Sequence, residues 1–223
     1  MAIILNIDTS TENASVSIAK QGEILAVATN NIQKEHASFL HPAIKLLLSQ
    51  TSLDIKQLDS IAVTQGPGSY TGLRVGMASA KGLAYALKKP FITVGTLPAI
   101  ALAAAQEESQ IDSYYCPMID ARRMEVFTAL YNIDIKEILP VCAIILTAET
   151  FKKELEHTRI VFCGSGSVKW RKLAQSTNCF FEDNINVPVS IAKISEEFYM
   201  EKKFTELIHS QPLYVKEFYN NKL

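Results

Sequence analysis

The order in which strand-like and helix-like segments follow one another constrains this chain more than any single motif. Residues 2–8 are mostly apolar and β-branched, 14–20 alternate between apolar and polar residues, and 23–29 follow after a Gln-Gly turn. A helical pattern covers 35–50, and strands and helices then alternate as far as residue 106. The first half is therefore predicted to run β-β-β-α-β-α-β-α.

The second half begins the same order again. It opens with a predicted hairpin around residues 121–123 and a third apolar strand over 141–146. The remaining predicted elements are a helix capped by Thr147 and ending at 156, a strand over 159–163, and helices over 167–173 and 190–203, the last after a loop containing Pro188. The two halves share no repeat at the level of residues; only the order of elements repeats.

Three strands followed by alternating helices and strands build a ribonuclease-H-like α/β layer. Two such layers in tandem give the architecture of actin, the Hsp70 ATPase domain and sugar kinases, with ligands held in the cleft between the halves. We therefore predict an α/β fold with an N-terminal domain over 1–108 and a smaller C-terminal domain over 109–223, whose last residues pack back on the first.

Charge and hydropathy exclude several classes of protein. Among 223 residues, Lys and Arg number 22 and Asp and Glu 23, a net charge of −1, whereas domains that grip nucleic acid alone usually have a pI above about 9. The longest apolar run covers 97–105, too short for a membrane span of about 20 residues. The sequence has no basic leader, so we expect a cytoplasmic protein that does not bind a membrane. It has no Cys-x-x-Cys pair, so we expect reduced, buried thiols and no bound metal.

The strongest local signal is a cluster of glycines after the predicted strand 59–64. Five of the nine glycines of the chain lie between Gly66 and Gly82, and the helix that follows begins near Ser69. Amides of such a first turn can cradle an anion, while the alternative, which the sequence favours, is a tight turn with Ser69 as the N-cap. Since no Lys-Ser/Thr pair follows, this is not a Walker loop. The candidate anion site comprises Gly66, Gly68, Ser69, Thr71 and Arg74.

The helix predicted over 69–87 is apolar on nearly every side, so it should be buried on more than one side. Its small residues, Gly72, Gly76, Ala80 and Ala84, recur every fourth position and allow another backbone to come close. The helix is covered either by another part of the chain or by a second protein, and the sequence supports the two alternatives about equally. We assign the stripe containing Leu73 and Met77 to the sheet. The candidate partner interface then comprises Phe39, Ala43, Leu46, Val75, Ala78, Ser79, Gly82 and Tyr85.

Two further motifs have both a functional and a structural interpretation. Asp8, Thr9 and Ser10 follow the first strand, where actin-like folds hold metal and phosphate, but an acidic residue before hydroxyls is more often a turn. The predicted hairpin carries Asp120, Arg122 and Arg123. These residues form either a solvated turn or a site that binds a partner or RNA. No catalytic residue and no metal ligand set is predicted.

Three motifs together resemble the bacterial TsaB (YeaZ) family. They are Ile7-Asp8-Thr9-Ser10, the run from Gly66 to Gly76, and Asp120-Ala121-Arg122-Arg123-Met124-Glu125-Val126-Phe127. The resemblance is weakest after about residue 150, where the family's closing Pro-x-Tyr-Leu-Arg reads Pro212-Leu213-Tyr214-Val215-Lys216. The change from arginine to lysine at the last position keeps the charge and loses the bidentate fork.

The resemblance implies an actin-like, non-catalytic subunit of the system that makes threonylcarbamoyladenosine in tRNA. Such proteins pair with TsaD through two helices of the N-terminal domain, and the P-loop ATPase TsaE joins that pair. The implied contact with tRNA is indirect. A homodimer of the isolated chain and a nucleotide at a subunit joint stay open, while no cofactor of its own is expected.

The competing hypothesis is a small-molecule kinase or ATPase of the actin-like class. It needs a nucleoside-binding segment and a second carboxylate beside Asp8, and the sequence identifies neither. A peptidase would need a nucleophile with a base, or a metal, and the sequence offers no such set.

Overall fold

The architecture consists of two five-stranded sheets with helices packed against them, in a computed structural model that describes residues 2–108 and 112–216. The first sheet has the order β3-β2-β1-β4-β5 and the second the order β10-β9-β6-β7-β8. In order along the chain, the strands are β1 (Ile3–Asp8), β2 (Ala14–Lys20), β3 (Glu23–Asn30), β4 (Ser60–Gly66), β5 (Phe91–Gly95), β6 (Ser113–Asp120), β7 (Glu125–Tyr131), β8 (Glu137–Ile145), β9 (Arg159–Cys163) and β10 (Cys179–Glu182).

The two sheets have the same topology. In each, the first three strands are antiparallel, the fourth pairs in parallel with the first, and the fifth pairs in parallel with the fourth. The predicted fold class, two tandem ribonuclease-H-like layers, is confirmed. The helices are α1 (His36–Gln50), α2 (Tyr70–Leu87), α3 (Thr96–Glu107), α4 (Lys152–His157), α5 (Ser167–Arg171) and α6 (Val187–Met200).

Strand β1 is buried on both faces, which explains why its sequence is almost continuously apolar. Leu5 and Ile7 join the core beneath α1 and α2, together with Leu40 and Met77. Ile4 belongs to the opposite face, in a cluster that includes Ile191 of α6. Helix α6 follows the second sheet in the sequence but packs on the first. The expected division at residues 108 and 109 stays a prediction.

Three sequence predictions in the second half were wrong in detail. Thr147 does not cap a helix: its amide donates to Thr150 Oγ1 at 2.9 Å in a turn, and α4 begins only at Lys152. Helix α6 begins at Val187 instead of 190, because Pro188 fits the first turn, where its missing N–H costs nothing. Strand β10 was not predicted, since four residues at a sheet edge leave almost no periodic signal.

Two of the four cysteines, Cys116 and Cys163, are buried as expected, whereas Cys142 and Cys179 are only half-buried. All four are free, and burial raises the pKa of Cys116 to about 12 and that of Cys163 well above its ordinary value. Both stay protonated at neutral pH and are therefore poor nucleophiles. Among the described residues, no helix combines the length and the hydropathy that crossing a bilayer requires.

Candidate functional site

Helices α1 and α2 lie side by side on the first sheet and leave an apolar face uncovered. On α2, Ala78, Gly82 and Tyr85 are exposed, and Tyr85 retains 80% of its accessible surface. On α1, Leu46 is 52% exposed. We call this surface the two-helix face. Its two helices meet where Ser79 Oγ lies 3.5 Å from His41 Nε2.

The orientation of α2 agrees with the sequence assignment, with one exception on the neighbouring helix. Leu73 and Met77 are buried against the sheet, as predicted, and Phe39 and Val75 are half-buried at the margin of the same core. Ala43 does not belong to the two-helix face. It is only 4% exposed, because it stands on the core stripe of α1 together with Leu40.

The small-residue stripe of α2 serves contacts within the chain. A Cβ added at Gly72 would lie 2.0 Å from the Thr9 carbonyl oxygen, and one at Gly76 would lie 2.3 Å from Thr9 Oγ1. The Thr9 hydroxyl also donates to the Gly72 carbonyl at 2.7 Å. The small residues of α2 thus allow the backbone of the loop after β1 to pack closely against this helix. Another part of the chain therefore covers this stripe, which is one of the two alternatives that the sequence left open, whereas Gly82 has no atom within 4 Å of an added Cβ.

The glycine loop packs against the loop that follows β1. The Ser69 amide donates to the Ser10 carbonyl at 2.6 Å, and an added Cβ at Gly68 would lie 2.1 Å from that same oxygen. Ser69 caps α2 as predicted, with Oγ accepting from the Gly72 amide at 3.3 Å. Two of the donors that could have held an anion are therefore engaged within the chain, which favours the tight-turn interpretation.

Asp8 has the hydrogen bonds of a structural turn. Its Oδ1 accepts from the Ser10 amide at 2.9 Å, from Ser10 Oγ at 2.6 Å and from Thr64 Oγ1 at 2.7 Å. The carboxylate thus fixes the loop after β1 to strand β4. Within the described residues, no group of three His, Cys, Asp or Glu side chains is placed to hold a metal ion.

The closing motif lies against the glycine loop, a contact that the sequence did not predict. The Leu213 amide donates to the Gln65 carbonyl at 2.7 Å, and an added Cβ at Gly66 would lie 2.8 Å from the Leu213 carbonyl oxygen. Gly66 also has a φ of +116°, so glycine is required there twice over. Arg74 Nε donates to the Tyr214 hydroxyl at 3.2 Å, so this candidate anion ligand holds the closing motif instead.

The Asp-Ala-Arg-Arg motif forms the tip of the β6–β7 hairpin, as predicted. The Asp120 carboxylate accepts from the Arg122 amide and from Lys169 Nζ, both at 2.6 Å. Glu125, in the same motif, accepts from Lys216 of the closing motif at 2.6 Å. Both arginines are exposed.

A groove of about 780 Å³ brings the hairpin and the glycine loop together. We call it the hairpin groove. Its lining includes Ser10, Lys34, His36, residues 68–72, Asp120 and Arg122. Three motifs that stand apart in the sequence therefore share one surface, although the sequence treated each alone.

The cleft between the two sheets is a second cavity of about 460 Å³, which adjoins the hairpin groove at Thr11, Glu12 and Ser165. Its lining includes Asp8, Glu12 and Asp183, together with several hydroxyl side chains, and among the described residues that line it none is basic. Asp183 is held by both of its oxygens to Arg171, at 2.8 and 2.7 Å. The cleft as it stands is a poor receptor for a polyphosphate.

Comparison with known proteins connects this arrangement to a family. Residues 23–200 match the family model described as TsaD, tRNA N6-adenosine threonylcarbamoyltransferase. The chain belongs to the TsaD family, in its TsaB (YeaZ) group. The match covers the whole second sheet and strands β3 to β5 of the first, and it leaves out β1 and β2.

Several members of the TsaB group are similar to this chain. The tRNA threonylcarbamoyladenosine biosynthesis protein TsaB of Bacillus subtilis is 34% identical over 58% of this chain and 55% of its own length. TsaB of Escherichia coli is 28% identical over 96% of this chain and 94% of its own length. The structure of YeaZ from Pseudomonas aeruginosa superposes with a TM-score of 0.78 at 23% identity, over 96% of this chain and all of that one. That likeness shows the shared fold.

Proposed function

We propose that this chain is a non-catalytic subunit in the biosynthesis of threonylcarbamoyladenosine in tRNA, and that it pairs with a TsaD-type transferase through the two-helix face. TsaE then joins the pair, and contact with tRNA depends on the assembly. The relatives named TsaB for this biosynthesis support the assignment. Nucleotide at the subunit joint and a cytoplasmic location stay predictions.

The exposed apolar face of α1 and α2 is the observation that carries the proposal. Large apolar side chains such as Leu46 and Tyr85 stand exposed beside the open space at Gly82. Contiguous exposed apolar surface is typical of a docking site, and tyrosine is enriched among residues that dominate binding energy. Because Gly82 has no side chain, a partner helix can come close to the backbone of α2 there.

The engagement of Asp8 supports a role other than catalysis. Its Oδ1 already accepts three hydrogen bonds from the chain itself, so this carboxylate holds the loop after β1 in place. The hydroxyls of Ser10 and Thr64 that bond to it are likewise committed to structure. A scaffold needs only that these loops be rigid.

A single substitution tests the pairing. Gly82→Glu should leave the fold intact, because nothing lies within 4 Å of the new Cβ and glutamate is a better helix former than glycine. In the complex it would bury an unpaired carboxylate, which should cost several kcal/mol and lower affinity roughly 100-fold or more. Calorimetry and size-exclusion chromatography with the TsaD-type subunit of the same organism measure the loss.

The matched control places the same charge on another helix. Met200→Glu, at a position of α6 that is 64% exposed, should bind the partner like the wild type. Circular dichroism confirms folding of both variants. A folded Gly82→Glu chain with wild-type affinity would show that the partner docks elsewhere. Light scattering of the isolated chain shows in addition whether a homodimer uses the same face, since Gly82→Glu would then dissociate it.

A further inference from the structure

The tip of the β6–β7 hairpin has an unusual backbone conformation for its sequence. Arg122 has a φ of +71° and Arg123 a φ of +49°, so two consecutive arginines adopt the left-handed conformation. Each such residue costs about 1–2 kcal/mol relative to a right-handed one, and glycine or asparagine usually takes such positions. Arginine at both positions therefore makes the fold less stable than glycine or asparagine would.

The surroundings leave the two guanidinium charges uncompensated. The carboxylates nearest to them are both neutralised by lysines from outside the hairpin, Asp120 by Lys169 of α5 and Glu125 by Lys216. Both arginines are exposed, and within residues 2–108 and 112–216 neither guanidinium has an ion-pair or hydrogen-bond partner in this chain. The tip therefore concentrates positive charge on a protein whose net charge is −1.

The hairpin groove next to this tip offers further donors. Arg122 lines it together with Lys34 and the hydroxyls of Ser69 and Thr71. His36 lines it too, and its buried Nδ1 has no hydrogen-bond partner among the described residues. Guanidinium forks and hydroxyls that line one groove suit phosphate oxygens, which accept several hydrogen bonds at once.

We propose that Arg122 and Arg123 bind backbone phosphates of the RNA substrate, as part of a surface that extends into the hairpin groove. The inference rests on the proposed function, because it concerns the chain assembled with its TsaD-type partner. In the isolated chain the two arginines hold too few phosphates to bind RNA well. In the assembled complex, the two arginines add phosphate contacts to an RNA-binding surface that continues onto the partner. Two carboxylates, Glu12 and Asp120, also line the groove, and that of Asp120 is paired with Lys169.

The test measures binding of tRNA to the assembled complex by fluorescence anisotropy at several salt concentrations. The double variant Arg122→Gln/Arg123→Gln should weaken binding roughly 20- to 60-fold at 0.1 M salt, with a salt slope shallower by about 1.4–1.8, the change expected for two lost phosphate contacts. Arg122→Lys/Arg123→Lys keeps both charges and should retain most of the slope.

The matched control removes the same two charges from adjacent exposed lysines of α4, as Lys152→Gln/Lys153→Gln. It should keep the affinity and the slope of the wild type. If both double variants behave alike, the hairpin has no specific role and the proposal is overturned. The proposal is also overturned if the arginine variant no longer assembles with the TsaD-type subunit or TsaE, while the complexes that do assemble bind tRNA with wild-type affinity. The hairpin would then contact protein instead of RNA.

Two further readouts separate the remaining explanations. Competition with ATP shows whether a free nucleotide takes the same arginines, and a nucleotide effect without an RNA effect contradicts RNA as the ligand. If the wild-type chain forms no complex with the TsaD-type subunit, the proposed function fails and the comparison is made on the isolated chain. Although the isolated chain binds RNA weakly, a loss of affinity confined to the arginine variant there supports the phosphate site by itself, and equal affinities of the arginine and lysine variants overturn it.

Discussion

Two glycines of α2 have opposite surroundings, and the contrast separates folding from binding at the scale of single residues. Gly72 lies against the Thr9 carbonyl, whereas Gly82 faces open space. Sequence spacing alone placed Gly72, Gly76, Ala80 and Ala84 in one stripe and could not tell what the stripe contacts. The answer depends on the loop after β1, more than sixty residues away in sequence, as the Thr9–Gly72 hydrogen bond shows.

This contrast predicts stability changes of opposite sign. Gly72→Ala should lower the free energy of unfolding by about 1–3 kcal/mol, because a backbone oxygen must move to admit the methyl group. Gly82→Ala should raise it by about 0.5–1 kcal/mol, the usual gain in helix propensity. Urea unfolding of both variants at an unchanged m-value measures the two effects. Equal midpoints would mean that Thr9 yields without cost.

At the scale of elements, the segment after α6 acts as a strap across the first sheet and α2. Thr205 donates its amide to the Phe91 carbonyl at 2.8 Å, and Leu213 donates to the carbonyl of Gln65 at 2.7 Å. Lys81 Nζ donates to the Ser210 carbonyl at 2.9 Å, and the Tyr70 and Tyr214 rings are 5.3 Å apart. The strap therefore covers the side of α2 that carries Arg74 and Lys81, and it leaves the two-helix face as the uncovered side.

Tyr214→Ala should loosen this strap. The ring contact with Tyr70 and the hydrogen bond from Arg74 are both lost, so we expect a loss of about 1–2 kcal/mol in stability. Hydrogen exchange at the Leu213 amide should become faster. Ile208→Ala in the same segment is the control, because Ile208 is 80% exposed and its truncation should change stability by less than about 0.5 kcal/mol. Identical exchange in both variants would contradict a role for the tyrosine.

The sequence predicted the elements of the first half well, but beyond the expectation that the last residues pack back on the first domain it named none of the strap's contacts. Strands such as β1 carry continuous apolar runs, and α2 has a cap at Ser69, so local patterns identify them. The strap has no periodic pattern, since its contacts are backbone hydrogen bonds and single side chains. For the same reason, the meeting of the closing motif with Gly66 and Glu125 could not be read from spacing.

At the scale of the whole molecule, the cleft between the sheets is the feature in which a scaffold and an enzyme of the kinase class would differ. Actin-like enzymes bind a polyphosphate there, but here the described lining carries Asp8, Glu12 and Asp183 and no basic side chain. Asp183 is paired with Arg171, so Asp8 and Glu12 are the carboxylates that a polyphosphate would meet, without a basic side chain in the described lining to bind it. The cleft therefore joins the two halves without offering the charge that nucleotide phosphates need.

The isolated chain should accordingly hydrolyse ATP no faster than a buffer blank. Asp8→Asn is the informative variant, because it removes the negative charge and keeps an oxygen that can accept from Ser10 and Thr64. Phosphate release is measured on the purified chain with magnesium. Turnover near 1 per second or above, an ordinary enzymatic rate, that disappears in Asp8→Asn would establish the kinase or ATPase alternative.

The packing of α6 on the first sheet has a consequence for synthesis on the ribosome. Strand β5 ends at Gly95, and α6 begins at Val187, about 90 residues later. At roughly 5–20 residues per second, the nascent first sheet waits about 5–20 s for the helix that covers its second face. During that interval Ile4, Ile92 and Val94 have no cover from α6. The first half of this protein is therefore synthesised early, but it is fully packed only after α6 has been made. The rate of translation sets how long its uncovered face is accessible to chaperones and proteases.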